Sequence, residues 1–341
     1  MKVAGFFAGV GGIELGFQQA GFNIVWANEI DEKAVQTYKA NFSHKIVQDD
    51  INNIKCEDVP DVDVIVGGFP CQAFSVAGYR KGFEDERGEV FFQLARIINT
   101  KRPRVIFVEN VKNLLSHDRG NTYKVIRETF ESYGYHLKTM LLNACDYGNV
   151  PQNRERIYII GFLKEEDALN FRSIEPVVLS NQIGDIIEFD KKVDEKYYYT
   201  SETCGFYEHL EEHIKNKDTL YQWRRVYVRE NKSNLCPTLT ANMGTGGHNV
   251  PLVLTKYGVR KLTPQECFMF QGFPKGYVLP EIAQSHLYKQ AGNSVVVPVI
   301  YRLATEIRNA LERTDNSNVE IKGEIIGLKR VNESNIITYQ L

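Results

Sequence analysis

Several short stretches place reactive side chains directly after apolar runs. In Gly67-Gly68-Phe69-Pro70-Cys71-Gln72 a thiol sits on a proline-stiffened turn just past the strand-like run 63–66. A thiol there stands at the carboxyl edge of a sheet, where parallel sheets put their active sites. A helix N-terminus or a nearby cation lowers its pKa from about 8.5 and raises the thiolate fraction. Glu109-Asn110-Val111 follows the run 104–108. A carboxyl group in a cleft at a strand's edge is pushed toward protonation by desolvation, and can then donate to, or protonate, a ring nitrogen. In Pro151-Gln152-Asn153-Arg154-Glu155-Arg156 an extended backbone puts Arg154 and Arg156 on one side. Two guanidinium groups together suit a carbonyl oxygen or phosphates, or else a surface ion-pair cluster with Glu155.

A second group of residues suits a nucleoside. Phe6-Phe7-Ala8-Gly9-Val10-Gly11-Gly12 is a glycine-rich turn between a strand and a helix, and Glu29 lies eighteen residues beyond Gly11. The glycines let a ligand approach the backbone, and the carboxylate can accept both ribose hydroxyls. The spacing is not G-x-G-x-x-G, which disfavours a dinucleotide. Asp49-Asp50-Ile51 reads either as an adenine contact, with Ile51 beneath the ring, or as an exposed acidic loop.

The elements that must hold these residues alternate. Residues 3–7, 22–27, 63–66, 104–108, 135–142 and 156–162 read as strands; 13–20, 31–40, 89–100 and 121–133 read as helices. Continuous apolar strands between helices predict an α/β fold, a parallel sheet covered on both faces. From about residue 176 the alternation stops and Tyr, Thr, Asn and Gly rise, so 176–285 reads as a second, smaller β- and loop-rich domain after a first domain of 1–175. Val296, Ile300, Leu303, Ile307 and Leu311 recur at helical spacing, so 286–312 is expected to return to the first domain as a helix. The tail 313–341 alternates loosely and reads as a possible β-hairpin.

Length and charge set bounds. A chain of 341 residues with 43% hydrophobic residues buries a large core, and the net charge of −2 means that positive charge for a nucleic acid must be local. The six cysteines form no C-x-x-C pair and no zinc-like spacing with His, which predicts reduced thiols in a cytoplasmic protein and no metal. The uncharged start, residues 3–13, is interrupted by glycines and lacks a cleavage site, so it is not a signal peptide. Residues 233–255 carry no Asp, Glu, Lys or Arg but are too rich in Thr, Asn, Pro and Gly for a membrane helix.

Taken together and in order, these blocks resemble the DNA cytosine carbon-5 methyltransferases of bacteria and phages. Arg260-Lys261-Leu262-Thr263-Pro264 and Gly292-Asn293-Ser294-Val295 complete a likeness running from about residue 2 to 312. It implies a Rossmann-like methyltransferase sheet with helices on both faces, a target-recognition domain, and S-adenosylmethionine as cofactor. Phe7, Gly9, Gly11, Gly12, Glu29, Ile30, Asp50, Ile51, Pro70, Asn293, Ser294 and Val295 would line the cofactor pocket. Cys71 would be the nucleophile, Glu109 would hold the cytosine ring nitrogen and amino group, and Arg156, with Arg154 beside it, the carbonyl oxygen. Gln72, Ser75 and Arg87 would meet DNA. The thiolate would add to carbon 6, making carbon 5 enamine-like; a base would later remove the carbon-5 proton. The target must first be flipped from the duplex, at a few kcal/mol. One departure stands out. The family commonly has Asp or Ser where this chain has Gly5, so a side-chain contact toward the cofactor's amino-acid end would be missing.

Between Tyr221 and Lys261 lie seven Lys or Arg and one acid, Glu230. This is a phosphate footprint, with Arg224, Arg225 and Arg229 expected on the backbone. The uncharged stretch that follows Cys236 holds Thr238, Thr240, Asn242, Met243 and His248, expected to read base edges or fill the gap left by the flipped base. Its Thr-Leu-Thr pattern is similar to one in the family's recognition domains. The expected partners are duplex DNA and a cognate restriction endonuclease without a stable complex; the expected state is a monomer on DNA, with no membrane. The lack of a long N-terminal extension favours a restriction–modification or phage enzyme. The alternatives are a tRNA cytosine-5 methyltransferase of the same fold, a nicotinamide-dependent oxidoreductase and an inactive DNA-binding protein.

Overall fold

The computed structural model of the protein describes residues 1–70, 90–245 and 249–337, with side chains as far as residue 317. Cys71, Gln72, Ser75, Arg87 and His248 lie outside the described residues. The main sheet has seven strands: β1 (Lys2–Phe6), β2 (Asn23–Glu29), β3 (Lys45–Gln48), β4 (Val64–Gly67), β5 (Val105–Val111), β6 (His136–Asn143) and β7 (Glu155–Phe162). They are ordered β3-β2-β1-β4-β5-β7-β6. The first five are parallel, as their apolar sequences predict.

β7 departs from the expected parallel sheet. It runs antiparallel between β5 and β6. The physical reason is the connection: eleven residues separate Asn143 from Glu155, fewer than the dozen or more that a parallel crossover needs. This reversal turns Arg154 and Arg156, at the start of β7, toward the end of β5 that carries Glu109; Val111 pairs with Arg156.

Helices cover both faces. On one lie α1 (Gly12–Gln19), the short α5 (Ala144–Tyr147), α6 (Glu165–Asn170) and the C-terminal helix; on the other lie α3 (Val90–Lys101) and α4 (Asn121–Ser132). α2 (Glu32–Lys39) is started by Asp31, whose carboxylate accepts from the Lys33 and Ala34 N–H groups. The second sheet is antiparallel, ordered β11-β10-β8-β9, from β8 (Tyr221–Trp223), β9 (Val228–Glu230), β10 (Leu252–Thr255) and β11 (Gly258–Lys261). With it go α7 (Tyr207–His213), α8 (Pro264–Met269) and α9 (Gln284–Asn293). A shared apolar cluster welds the two parts, joining Tyr38 and Phe42 to Leu239, Phe268, Phe273 and Tyr288.

The last helix, α10 (Val297–Ile337), carries its predicted stripe into the core: Ile300, Leu303, Ile307 and Leu311 are fully buried. Each contributes roughly 1.5–3 kcal/mol. The tail is not a hairpin. Its backbone continues α10 through residue 337, because no proline follows Pro298, and Gly323 and Gly327 do not stop the helix. Partway along it Asp315, together with the buried Asp167 of α6, grips Arg104 (2.8 and 2.7 Å).

Candidate active site and nucleic-acid interface

The carboxyl edge of the sheet collects most of the predicted residues, in strand order. β1 ends at Phe6 and turns into α1 through Phe7, Gly9 and Gly11 at φ of 53°, 55° and 84°. A phenylalanine in this region costs of order 1–3 kcal/mol. Neighbouring bonds hold it there: the Ala8 N–H donates to the Asn28 carbonyl (3.0 Å) and the Gly9 N–H to Glu29 Oε2 (2.7 Å). Glu29 Oε1 accepts from the Asp31 N–H (2.8 Å), so the carboxylate is fixed at the end of β2 with the exposed Ile30 beside it. A side chain at Gly12 would strike Ser294 Oγ at 2.8 Å and Val295 Cγ2 at 2.9 Å. Glycine there lets the segment after α9 lie on the turn and brings Ser294 and Val295, with Asn293 exposed beside them, to the first block. One strand further out, Asp50 caps a single turn by accepting from the Asn52 N–H (2.9 Å), and Ile51 is buried beneath that edge.

On the other side of β1 lies the reactive half. Asn110 donates through Nδ2 to the Phe69 carbonyl (2.8 Å) and accepts from the Val111 N–H (2.8 Å), pinning the chain just before the exposed Pro70. This positioning role was missed in the sequence, where Asn110 reads only as a neighbour of Glu109. Glu109 is buried; a side-chain carbon at Gly68 would lie 3.4 Å from its Oε2. The Arg156 Nε lies 3.1 Å from Glu109 Oε1. Burial pushes the Glu109 carboxyl above the usual range, against the pull of Arg156 and Arg154. The result is a carboxyl group able to hold a proton beside a fixed cation.

Arg154 does something else. Its terminal nitrogens donate to the carbonyls of Leu239 (2.7 Å), Gly292 (3.1 Å) and Ser294. Only 2% exposed, it spends three of its five N–H donors on these carbonyls, and its Nε is buried without a partner. The expected pair of substrate-facing arginines is therefore one arginine and one clamp. Burial and the adjacent Arg156 both press against the clamp's charge, and the nearby Glu109 carboxyl pulls the other way.

The second part is bolted to this edge through the same segment. The Asn153 N–H donates to the Cys236 carbonyl (2.9 Å), the Cys236 N–H to the Pro151 carbonyl (2.7 Å), and Thr238 Oγ1 to the Asn153 carbonyl (2.6 Å). Gln152, fully buried, accepts from the Leu239 N–H and donates to the Phe270 carbonyl. Beside this seam opens a groove of about 590 Å³ lined by Arg224, Arg225, Arg229, Thr238, Thr240, Asn249 and others. The predicted cations and the predicted threonines thus share one wall.

Three expectations change here. Met243 is 2% exposed and packs in the shared core, because its turn lies against α9, where a side chain on Gly244 would strike the Ser285 carbonyl at 2.4 Å. It is not available to a duplex; Asn242 next to it is exposed. Arg260, counted among the phosphate cations, is fully buried in a two-pronged pair with Glu266 (2.8 and 2.6 Å), the residue that completes the capping box of α8. No metal-ligand cluster was expected, yet His209, Glu212 and His213 bring potential ligand atoms within 4.8 Å of one another, since helical residues three and four apart are neighbours. The five described cysteines are free thiols, and among the described residues no helix is long and apolar enough to cross a membrane.

Comparison with known proteins agrees with this geometry. Residues 1–309 match the family model of the C-5 cytosine-specific DNA methylases. The chain is 61% identical over 313 residues to the Type II methyltransferase M.Bsp6I of Bacillus sp. (strain RFL6), covering 91% of this chain and 99% of that one. It is 37% identical over 323 residues to the Type II methyltransferase M.HhaI of Haemophilus parahaemolyticus, covering 91% and 95%. In fold it is similar to a DNMT2 mutant of Spodoptera frugiperda, with a TM-score of 0.70 at 21% identity over 90% of this chain and 99% of that one. The edge fits S-adenosylmethionine, on which this family depends: a fixed carboxylate for the ribose at Glu29, a glycine turn for close approach, and a buried, unpartnered carboxyl oxygen of Glu14 below the turn. The chain belongs to the C-5 cytosine-specific DNA methylases and is a DNA (cytosine-5-)-methyltransferase.

Proposed function

We propose that the enzyme methylates carbon 5 of one cytosine within a short, specific duplex sequence, as the modification arm of a Type II restriction–modification system. It acts in the cytoplasm as a monomer on DNA, alongside a cognate endonuclease that it does not stably bind. Residues 1–175 and 286–312 perform the chemistry and 176–285 read the DNA. The observation that carries the reading is the buried Glu109 carboxyl, paired with Arg156 and lying beside the segment that leads into Pro70-Cys71.

The strand order supports a cofactor laid along the sheet edge, with adenine by Asp50 on the β3 side, ribose at Glu29 on β2, and the methionine portion over β1. S-adenosylmethionine, when bound, supplies an electrophilic methyl group. The flipped cytosine then lies over β4 and β5. Arg156 holds its carbonyl oxygen and Glu109 protonates ring nitrogen 3 as the Cys71 thiolate bonds to carbon 6. That addition makes carbon 5 nucleophilic enough to take the methyl group. Loss of the carbon-5 proton to a base re-forms the double bond and expels the thiolate, and ring nitrogen 3 returns its proton to Glu109.

The test is a duplex with 5-fluorocytosine at the modified position. With cofactor present the wild type should form a denaturant-stable adduct, because fluorine cannot leave as a proton does. Cys71→Ala should form none; trapping at the wild-type level would remove Cys71 from the mechanism. Bisulfite sequencing of DNA from expressing cells supplies the target sequence.

The groove supports a division of labour. Arg224, Arg225 and Arg229 meet phosphates, while Thr240 and Asn242 meet bases; Thr238, spent on the Asn153 carbonyl, positions the loop. Removing one of these arginines should weaken target and random DNA alike and lower the log–log salt slope by roughly one. Asn242→Ala should cost about 1–3 kcal/mol on target DNA and much less on random DNA. Binding titrations on both DNAs at several salt concentrations decide this. Target-only loss in the arginine variants would reverse the roles.

A further inference from the structure

Gly5, where the family commonly has a side chain, is not beside an empty space. A carbon built on Gly5 would lie 2.0 Å from Glu14 Oε1 and 2.9 Å from its carboxyl carbon. Glu14 sits in the first turn of α1, points back at β1 and is 1% exposed. Its Oε2 is buried without a hydrogen-bond partner. A buried carboxyl with an unmet oxygen is costly unless something arrives to satisfy it.

The titratable groups that face it are Glu29 from β2, Tyr38 from α2 and Tyr277, whose hydroxyl bonds the Val10 carbonyl. None of these is a cation. Burial, with the Glu29 carboxylate nearby, pushes the Glu14 carboxyl up to about 8. Two acids, Glu14 and Glu29, thus lie close together at this edge, an arrangement suited to a ligand that carries positive charge. With the ribose at Glu29, the group attached to the ribose extends over the neighbouring strand, β1, whose last residues are Gly5 and Phe6.

We propose that Glu14, reaching through the space that Gly5 leaves open, is the acid that receives the α-ammonium group of S-adenosylmethionine. The inference rests on the cofactor placement given above. Position 5 and position 14 then form one functional unit, in which the carboxylate is delivered from the helix rather than from the strand. On binding, the ligand's cation draws the Glu14 proton off, so the acid becomes a carboxylate only when it has a partner.

The test uses S-adenosylhomocysteine and its analogue lacking the α-amino group, with binding measured by calorimetry on the whole protein. The wild type should prefer the amino compound by about tenfold or more, the worth of one charge-assisted hydrogen bond. Glu14→Gln, nearly isosteric with the protonated acid, should lose that preference while keeping its affinity for the deaminated analogue. At pH 7, runs in buffers of different ionisation enthalpy should show proton release for the wild type and none for Glu14→Gln. Gly5→Asp combined with Glu14→Ala should regain the preference, because the departed side chain frees the room that the new one needs. Equal weakening of both compounds in Glu14→Gln, or an unchanged preference, would overturn the proposal. Glu29→Gln tested with adenosine separates the two layers: unchanged adenosine binding there would overturn the placement itself.

Discussion

Glu109→Gln should slow methyl transfer in a single turnover by roughly 10²–10⁴-fold, the range for losing a general acid–base group. Binding of S-adenosylhomocysteine should stay as it is, since Glu29, proposed for the ribose, ends β2, with β1 and β4 between it and β5. The amide keeps the shape and a donor but has no proton to give to the ring nitrogen. The pH profile sharpens the test. Burial raises the Glu109 pKa, so the protonated form persists at low pH and is lost as pH climbs through the raised value. The wild-type rate should therefore show a descending alkaline limb from Glu109, opposite to the ascending limb from thiol ionisation. Glu109→Gln should retain the ascending limb and lose the descending one. A variant with wild-type single-turnover rates would leave Glu109 a purely structural partner of Arg156.

Arg154→Met should destabilise the fold by roughly 3 kcal/mol or more. It leaves three buried carbonyls without their donor, at about 1–3 kcal/mol each before relaxation. These carbonyls belong to Leu239, Gly292 and Ser294. One side chain therefore ties the start of β7 to the loop at Leu239 and to the segment on the glycine turn. Denaturant unfolding should give the loss, and cofactor and DNA binding should weaken together. A change below about 1 kcal/mol would mean that the clamp contributes little to the fold.

These two arginines illustrate what the sequence discloses. Alternation placed Arg154 and Arg156 together, and both do lie by Glu109. Which one keeps free donors depends on residues 239, 292 and 294, distant along the chain, and no local pattern carries that. Glu29 and Glu109 were legible because a strand's end is marked by the close of an apolar run, and parallel strands share one edge. The direction of β7 was not, since an apolar strand buried on both faces reads alike in either direction. Met243 and Arg260 were misplaced for one reason: composition says that a stretch is basic or glycine-rich, but not which of its members face inward. Glu14 had a signal that went unread, an acid in the first helical turn opposite a glycine strand. The tail misled because loose alternation over few residues fits a strand and a helix equally.

The assembly of the glycine turn from both ends of the chain has a consequence for the enzyme's birth. Gly12 touches Ser294 and Val295, Gly16 packs on Ile300, and Arg308 donates to the Ala20 carbonyl at 2.7 Å. The pocket that needs the first dozen residues thus needs the last helix as well. Such contacts span nearly the whole sequence, and they close only after synthesis has passed α10. A nascent or truncated chain leaving the ribosome has its strands but no finished cofactor floor. The cofactor floor therefore closes in one late step, once the residues through Arg308 have been made, rather than growing with the length of the translated product.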